Sequence, residues 1–154
     1  MLGSPIAASV GMAGFKDFRE IVAWQLAREI RLLADALLAK PEVARRYKYC
    51  DQLSDAARSG PRNIAEGFAR FFHKPFAQYV RIAKGSEAEV INHFIDARDL
   101  KLMTDEEFIH GEHTARRAIK AASGLIRFLE STPDPPPPRY LPKAKLEDPN
   151  WGQD

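Results

Sequence analysis

Four histidines, one cysteine and a few closely spaced carboxylates are the groups in this 154-residue chain best suited to chemistry. His93 and Asp96 lie about one turn apart, as do His110 and His113. If the two segments form an antiparallel helical hairpin turning near Met103 and Thr104, residues equidistant from the turn share a level. His93 then stands near His113 and Asp96 near His110, with Glu89 and Glu112 as further oxygens. Three imidazoles and a carboxylate at one level form a donor set for zinc or another divalent cation. Against this, Gly111 loosens the turn between His110 and His113, and the two Glu-x-x-His runs of di-iron proteins are not both present. The preferred reading is solvated surface histidines, with no metal or other cofactor.

A second constellation is Asn63 with Glu66. A glutamate as general base beside an orienting amide suits proton transfer, but neither a nucleophile nor an oxyanion donor accompanies the pair. The structural alternative lets the pair satisfy backbone groups freed near Pro61, with Arg58, Arg62 or Arg70 neutralising the carboxylate. Cys50 has no histidine nearby, and a place at a helix start is the setting in which thiols become reactive. Ser86 follows Gly85 without the strand and second glycine of a nucleophile elbow. No phosphate-cradling glycine loop is present. The chain reads as a non-enzyme.

Charge patterning says more. Residues 58–84 carry Arg58, Arg62, Arg70, Lys74, Arg81 and Lys84 against the single acid Glu66. Residues 87–112 reverse the sign, with Glu87, Glu89, Asp96, Asp99, Asp105, Glu106, Glu107 and Glu112 against Arg98 and Lys101. The basic span could neutralise phosphates and release counterions, giving salt-sensitive nucleic-acid binding. It could equally meet the acidic end of a neighbouring subunit and orient a head-to-tail ring. A plain solvated surface is the third reading.

Helices must position all these groups. Phe18, Val22, Leu26, Ile30, Leu33 and Leu37 recur at helical spacing and predict a first helix over residues 17–40, stopped by Pro41. Residues 42–49 read as a connector that tucks Tyr47 and Tyr49 against the core. A second helix covers residues 51–73, with Asp51 as its N-cap. Pro61 and Gly60 lie inside it, and proline costs about 3 kcal/mol and glycine about 1 kcal/mol there, so packing must hold it helical. Lys74-Pro75 opens the third helix. One of its stripes is Phe76, Tyr79/Val80, Ala83, Ser86/Glu87, Val90, Phe94 and Ala97. A second, nearly opposite, is Ile82, Ile91, Ile95 and Leu102. A helix apolar on two sides is packed on two sides, which points to a second subunit. Thr104 and Glu107 read as a capping box before a fourth helix to residue 131. Phe108, Ala115, Ile119, Ala122, Ile126 and Leu129 are its inward stripe, and Arg116, Arg117, Lys120 and Arg127 lie outside it. Residues 132–154 form a proline-rich tail, and residues 1–14 a disordered leader without the basic start of a signal peptide.

Length suits one domain, and a net charge of +2 is too balanced to name a partner. The single cysteine suits a reducing cytoplasm, and no apolar run is long enough for a membrane span.

Three segments carry a family resemblance. The first is Phe18 with Val22-Ala23-Trp24-Gln25-Leu26-Ala27. The second runs from Gln52-Leu53 through Ala56-Ala57-Arg58-Ser59-Gly60-Pro61-Arg62 to Asn63-Ile64-Ala65-Glu66-Gly67. The third is Tyr79, Ile82-Ala83-Lys84-Gly85-Ser86 and Glu89. Together they resemble the bacterial four-helix bundle proteins also called 23S rRNA-intervening sequence proteins, whose relatives include the accessory proteins of diversity-generating retroelements. The resemblance spans residues 15–131 and implies an all-α, antiparallel up-down four-helix bundle in a closed homo-oligomeric ring, a pentamer. In it Gln52, Asn63, Ile64, Ala65, Glu66, Gly67, Gly85, Ser86 and Glu89 are structural motif positions. The function that follows is a non-catalytic adaptor for structured RNA or a ribonucleoprotein, with a reverse transcriptase as one kind of partner. The alternatives are a protein-binding scaffold without a nucleic-acid role and, behind it, a metal-dependent enzyme at His93, Asp96, His110 and His113.

Overall fold

The computed structural model describes residues 14–136, and all regular structure among them is helical. A 3-10 turn at Phe18–Glu20 precedes α1 (Val22–Leu38), α2 (Pro41–Ala44), α3 (Tyr47–Phe68), α4 (His73–Asp99) and α5 (Asp105–Ser131). The expected leader therefore lies outside the described residues except for Gly14, and the tail is described as far as Pro136.

The first helix begins later than its apolar spacing suggests. Asp17 accepts from the Arg19 amide at 2.8 Å and caps the 3-10 turn. Ile21 is then extended, with φ −76° and ψ 119°. That break folds Phe18 back onto Trp24 and Phe68, with ring centroids 5.2 and 6.4 Å away.

The expected connector is largely helical too. Lys40 is extended, as a residue before proline should be, and Pro41 opens the one-turn helix α2, which buries Val43 completely. Burying Val43 brings the chain round early enough for α3 to start at Tyr47. Asp51 is consequently an exposed residue of the helix, not its N-cap; Arg46 holds the cap position without a side-chain bond. Cys50 sits in the first turn, its thiol 3.2 Å from the Val43 carbonyl. Tyr49 tucks inward and donates to the His93 carbonyl at 2.7 Å, whereas Tyr47 is 79% exposed.

Pro61 is buried inside α3, which runs on through it. Close packing compensates: a Cβ on Gly60 would lie 3.4 Å from Ala27 Cβ, and one on Gly67 only 2.7 Å from Phe76 and Tyr79. In α4, Pro75 is the third residue, where an amide would have no intrahelical acceptor anyway. The first apolar stripe of α4 is buried as its spacing predicts, except for Tyr79, which is only partly so. The second divides: Ile91 and Leu102 are buried, Ile95 is partly so, and Ile82 is 52% exposed. Leu102 lies beyond the helix, brought back by Lys101 at φ 58°. The amides of Leu102 and Lys101 donate to the carbonyls of Ala97 and Arg98 at 2.8 and 2.9 Å, a Schellman turn with lysine in the usual glycine position.

Thr104 and Glu107 form the expected capping box at α5, and Lys40 reaches Glu107 at 2.8 Å. Helix α3 packs on α4, α4 on α5, and α1 on both α3 and α5, whereas α1 and α4 barely meet. One apolar cluster gathers Leu26, Ile30, Leu53, Val90, Phe94 and Phe108. The other gathers Ile21, Ile64, Phe76, Val80, Leu125 and Leu129.

Candidate functional site

Between the two apolar clusters, the facing middles of α3 and α4 are polar. Ser86 Oγ lies 2.7 Å from Ser59 Oγ and 3.0 Å from the Ile82 carbonyl. Buried Asn63 donates from Nδ2 to the carbonyl and hydroxyl of Ser59, at 2.8 and 3.0 Å. The amide thus serves Ser59 and not the backbone freed by Pro61. Glu66 points away from this level and is half exposed. Arg70 is the basic partner it finds, at 3.5 Å, and the Tyr79 hydroxyl is 3.3 Å from Glu66 and 2.7 Å from Arg70. Asn63 and Glu66 therefore belong to separate networks, and their arrangement assembles no general base with an orienting group.

Glu87 is the feature that the sequence presents twice, as one acid of a charged run and as a member of the apolar stripe of α4. It is 2% exposed, and neither carboxylate oxygen has a hydrogen-bond partner. A Cβ on Gly60 would stand 3.6 Å from Glu87 Oε1, so the carboxyl is pressed against the glycine of α3. Burial pushes its pKa up to about 8, which keeps it a neutral acid at pH 7. The signal was available: Glu87 falls on the same helical stripe as Val80, Val90 and Phe94.

The four histidines do not meet. His93 is buried, which corrects its reading as a surface group, and its Nε2 is 3.6 Å from Glu89. Its ring meets Tyr49 edge-on at 5.8 Å. It therefore faces α3, whereas His110 and His113 are exposed on α5. Sharing a level along the hairpin did not place these groups on facing sides. Among the described residues no three of His, Cys, Asp and Glu come together to hold a metal. His73 is buried where α4 begins; its amide donates to Asp134 at 2.7 Å and its Nδ1 is 2.9 Å from the Thr132 carbonyl.

The six basic residues of the 58–84 span point in several directions. Arg58 reaches Asp35 of α1 at 3.2 Å, Arg70 pairs with Glu66, and Arg81 pairs with Glu130 of α5. Arg62, Lys74 and Lys84 have no carboxylate partner among the described residues. Arg62 lines a groove of about 320 Å³ between α3 and α4, together with Asp51, Gln52, Asp55, Ser59, Ser86 and Glu89. Lys74 lines another, of about 540 Å³, with His73, Arg81, Glu130 and Asp134.

The matched span in a comparison with protein families runs from the 3-10 turn into α5: the model of the 23S rRNA-intervening sequence protein fits residues 19–124. The chain belongs to that family. Within the matched span, Ile64 is fully buried, Gly67 lies under Phe76, and Ser86 joins Ser59, so these motif positions hold α3 against α4. Gln52, Glu89 and Gly85 are instead exposed. A search of curated proteins returned no match.

Proposed function

We propose that this member of the 23S rRNA-intervening sequence family is a non-catalytic, homo-oligomeric adaptor that binds structured RNA or a ribonucleoprotein by phosphate contacts. In this reading the four long helices form an antiparallel up-down bundle. The observation that carries it is that Arg62, Lys74 and Lys84 stay free of carboxylates in a chain otherwise rich in ion pairs. Unpaired surface cations are the groups that displace counterions from a nucleic-acid backbone. The name of the family, with its reference to 23S rRNA, agrees with such a partner. The polar level around Ser59, Asn63 and Ser86 serves packing, and nothing beside it acts as a nucleophile.

Self-association into a closed ring, with five subunits as the resemblance implies, is supported by apolar groups that the single chain leaves outside. Leu32, Ile82, Leu100, Ile109 and Phe128 are between 41% and 64% exposed. A ring would repeat each cationic surface around an axis and multiply a weak single contact. A nucleic-acid enzyme such as a reverse transcriptase is the protein partner this reading favours.

Titration of the purified chain with a structured RNA across a range of salt concentrations tests the RNA reading. Affinity that falls steeply with salt supports it. No binding at low salt hands the function to the protein-scaffold reading. Sedimentation equilibrium tests the ring, and a monomer at micromolar concentration refutes it.

A further inference from the structure

From Thr114 to Leu129, α5 contains no acidic residue, yet this stretch and its flanking His113 carry Arg116, Arg117, Lys120 and Arg127. Successive residues of an α-helix advance by about 100°, so His113, Arg116, Arg117, Lys120 and Arg127 fall within one sector of about 100°. All five are exposed. At a rise of about 1.5 Å per residue the row is about 21 Å long. Arg116 is held by Glu112 at 2.7 Å, whereas Arg117, Lys120 and Arg127 have no ion-pair partner among the described residues. Gly124 lies on the same row. A Cβ there would meet only the Arg127 guanidinium, at 3.9 Å, so no packing within the chain requires glycine. Its absence of a side chain leaves the helix backbone open to close approach between Lys120 and Arg127.

We infer that this face of α5 is the principal phosphate-contacting surface, and that its partner is the sugar–phosphate backbone of a folded RNA. The inference rests on the RNA-binding reading above and names the surface for it. Three features favour a polyanion over a protein here. The row is linear and of one sign, so a regularly charged backbone can follow it. Guanidinium groups dominate it, and they match phosphate oxygens bidentately. Between His113 and Arg127 no exposed aromatic or aliphatic side chain stands on the row to anchor a protein interface; Ile109 and Phe128 are exposed only at its two ends. The unpaired cations Arg62 and Lys74 line separate grooves, each shared with carboxylates.

Two charge reversals of equal size separate the surfaces: Arg117→Glu with Lys120→Glu on α5, and Arg62→Glu with Lys74→Glu on α3 and α4. Each is titrated with a labelled double-stranded RNA hairpin at several salt concentrations, after circular dichroism and thermal unfolding have shown native helix content. The α5 variant is expected to lose at least tenfold in affinity, with the slope of log K against log salt reduced by about two. The other variant is expected to lose a smaller part of the affinity, about threefold, because Arg62 and Lys74 are secondary phosphate contacts that share their grooves with carboxylates. An equal loss in both variants would reduce the effect to net charge and overturn the inference. Loss confined to the Arg62/Lys74 variant would overturn it while leaving RNA binding intact. Failure of the wild type to bind RNA at low salt would overturn both. A neutral pair, Arg117→Gln with Lys120→Gln, must shift the slope in the same direction as the reversal.

Discussion

Replacing Glu87 by glutamine should abolish the pH dependence of stability that arises at this site. The folded chain holds a proton on Glu87 up to a pKa of about 8, whereas an unfolded chain releases it near the ordinary 4.5. Stability from this group is therefore complete below pH 4.5, declines between 4.5 and 8, and is flat above. At about 1.4 kcal/mol per pH unit the whole window is worth about 5 kcal/mol, and about 3 kcal/mol has been lost by pH 7. Glutamine keeps the shape and cannot ionise, although its amide is also left without partners, at about 1–3 kcal/mol. The two proteins should be similar near pH 5, and the variant should be the more stable by several kcal/mol at pH 8. Urea unfolding followed by circular dichroism at half-unit intervals from pH 5 to 9 gives the difference directly, and the other carboxylates cancel in it. A difference that stays flat across this range refutes the reasoning: Glu87 would then be charged in the fold, reached by water or by a cation.

Glu107 should behave in the opposite sense. Its bond with Lys40, and then that with the Thr104 amide, lower its pKa, so the stability it lends is lost as pH falls through its folded value. Glu107→Gln should flatten that acid limb when the urea series is extended to below pH 4.5. Gly67→Ala puts a Cβ 2.7 Å from Phe76 and Tyr79 and should cost about 1–3 kcal/mol in urea unfolding. Gly85→Ala, with nothing within 4 Å, should instead raise stability by up to about 1 kcal/mol, and a loss would show a neighbour that the single chain lacks. Lys101→Gly relieves a left-handed residue at the end of α4 and should raise the thermal midpoint, since L-residues pay about 1 kcal/mol there.

The order of long helices was legible because Leu26, Ile30, Leu53, Val80, Val90, Phe94 and Phe108 recur at spacings that only a helix turns to one side. The capping box at Thr104 was legible because it is local, built from residues three apart. The start of α3 was not. It depends on burying Val43 in a single turn of helix, and no periodicity is visible over four residues. Asp51 looked like a cap because its chemistry suits one, but the chain had already become helical at Tyr47. The histidine grouping failed for a related reason: distance from a turn sets the level of a residue, whereas the rotation of each helix about its axis sets its neighbours. His93 turns to Tyr49 on α3, away from the side that α5 occupies. Glu87 was legible on the apolar stripe of α4 and was also counted as a surface charge, and the two readings conflict: an acid on a buried stripe must find a partner or stay protonated.

The bonds around His73 join parts of the chain that are 61 residues apart in sequence. Asp134 supplies to the first amide of α4 what an N-cap side chain normally supplies from within the helix. The opening of α4 thus borrows its cap from the segment that leaves α5. Neither end can fray alone: loosening residues 132–134 exposes the first turn of α4, and unwinding that turn releases the segment. The two termini form one unit of local opening, so their amides should exchange with solvent together and at one rate.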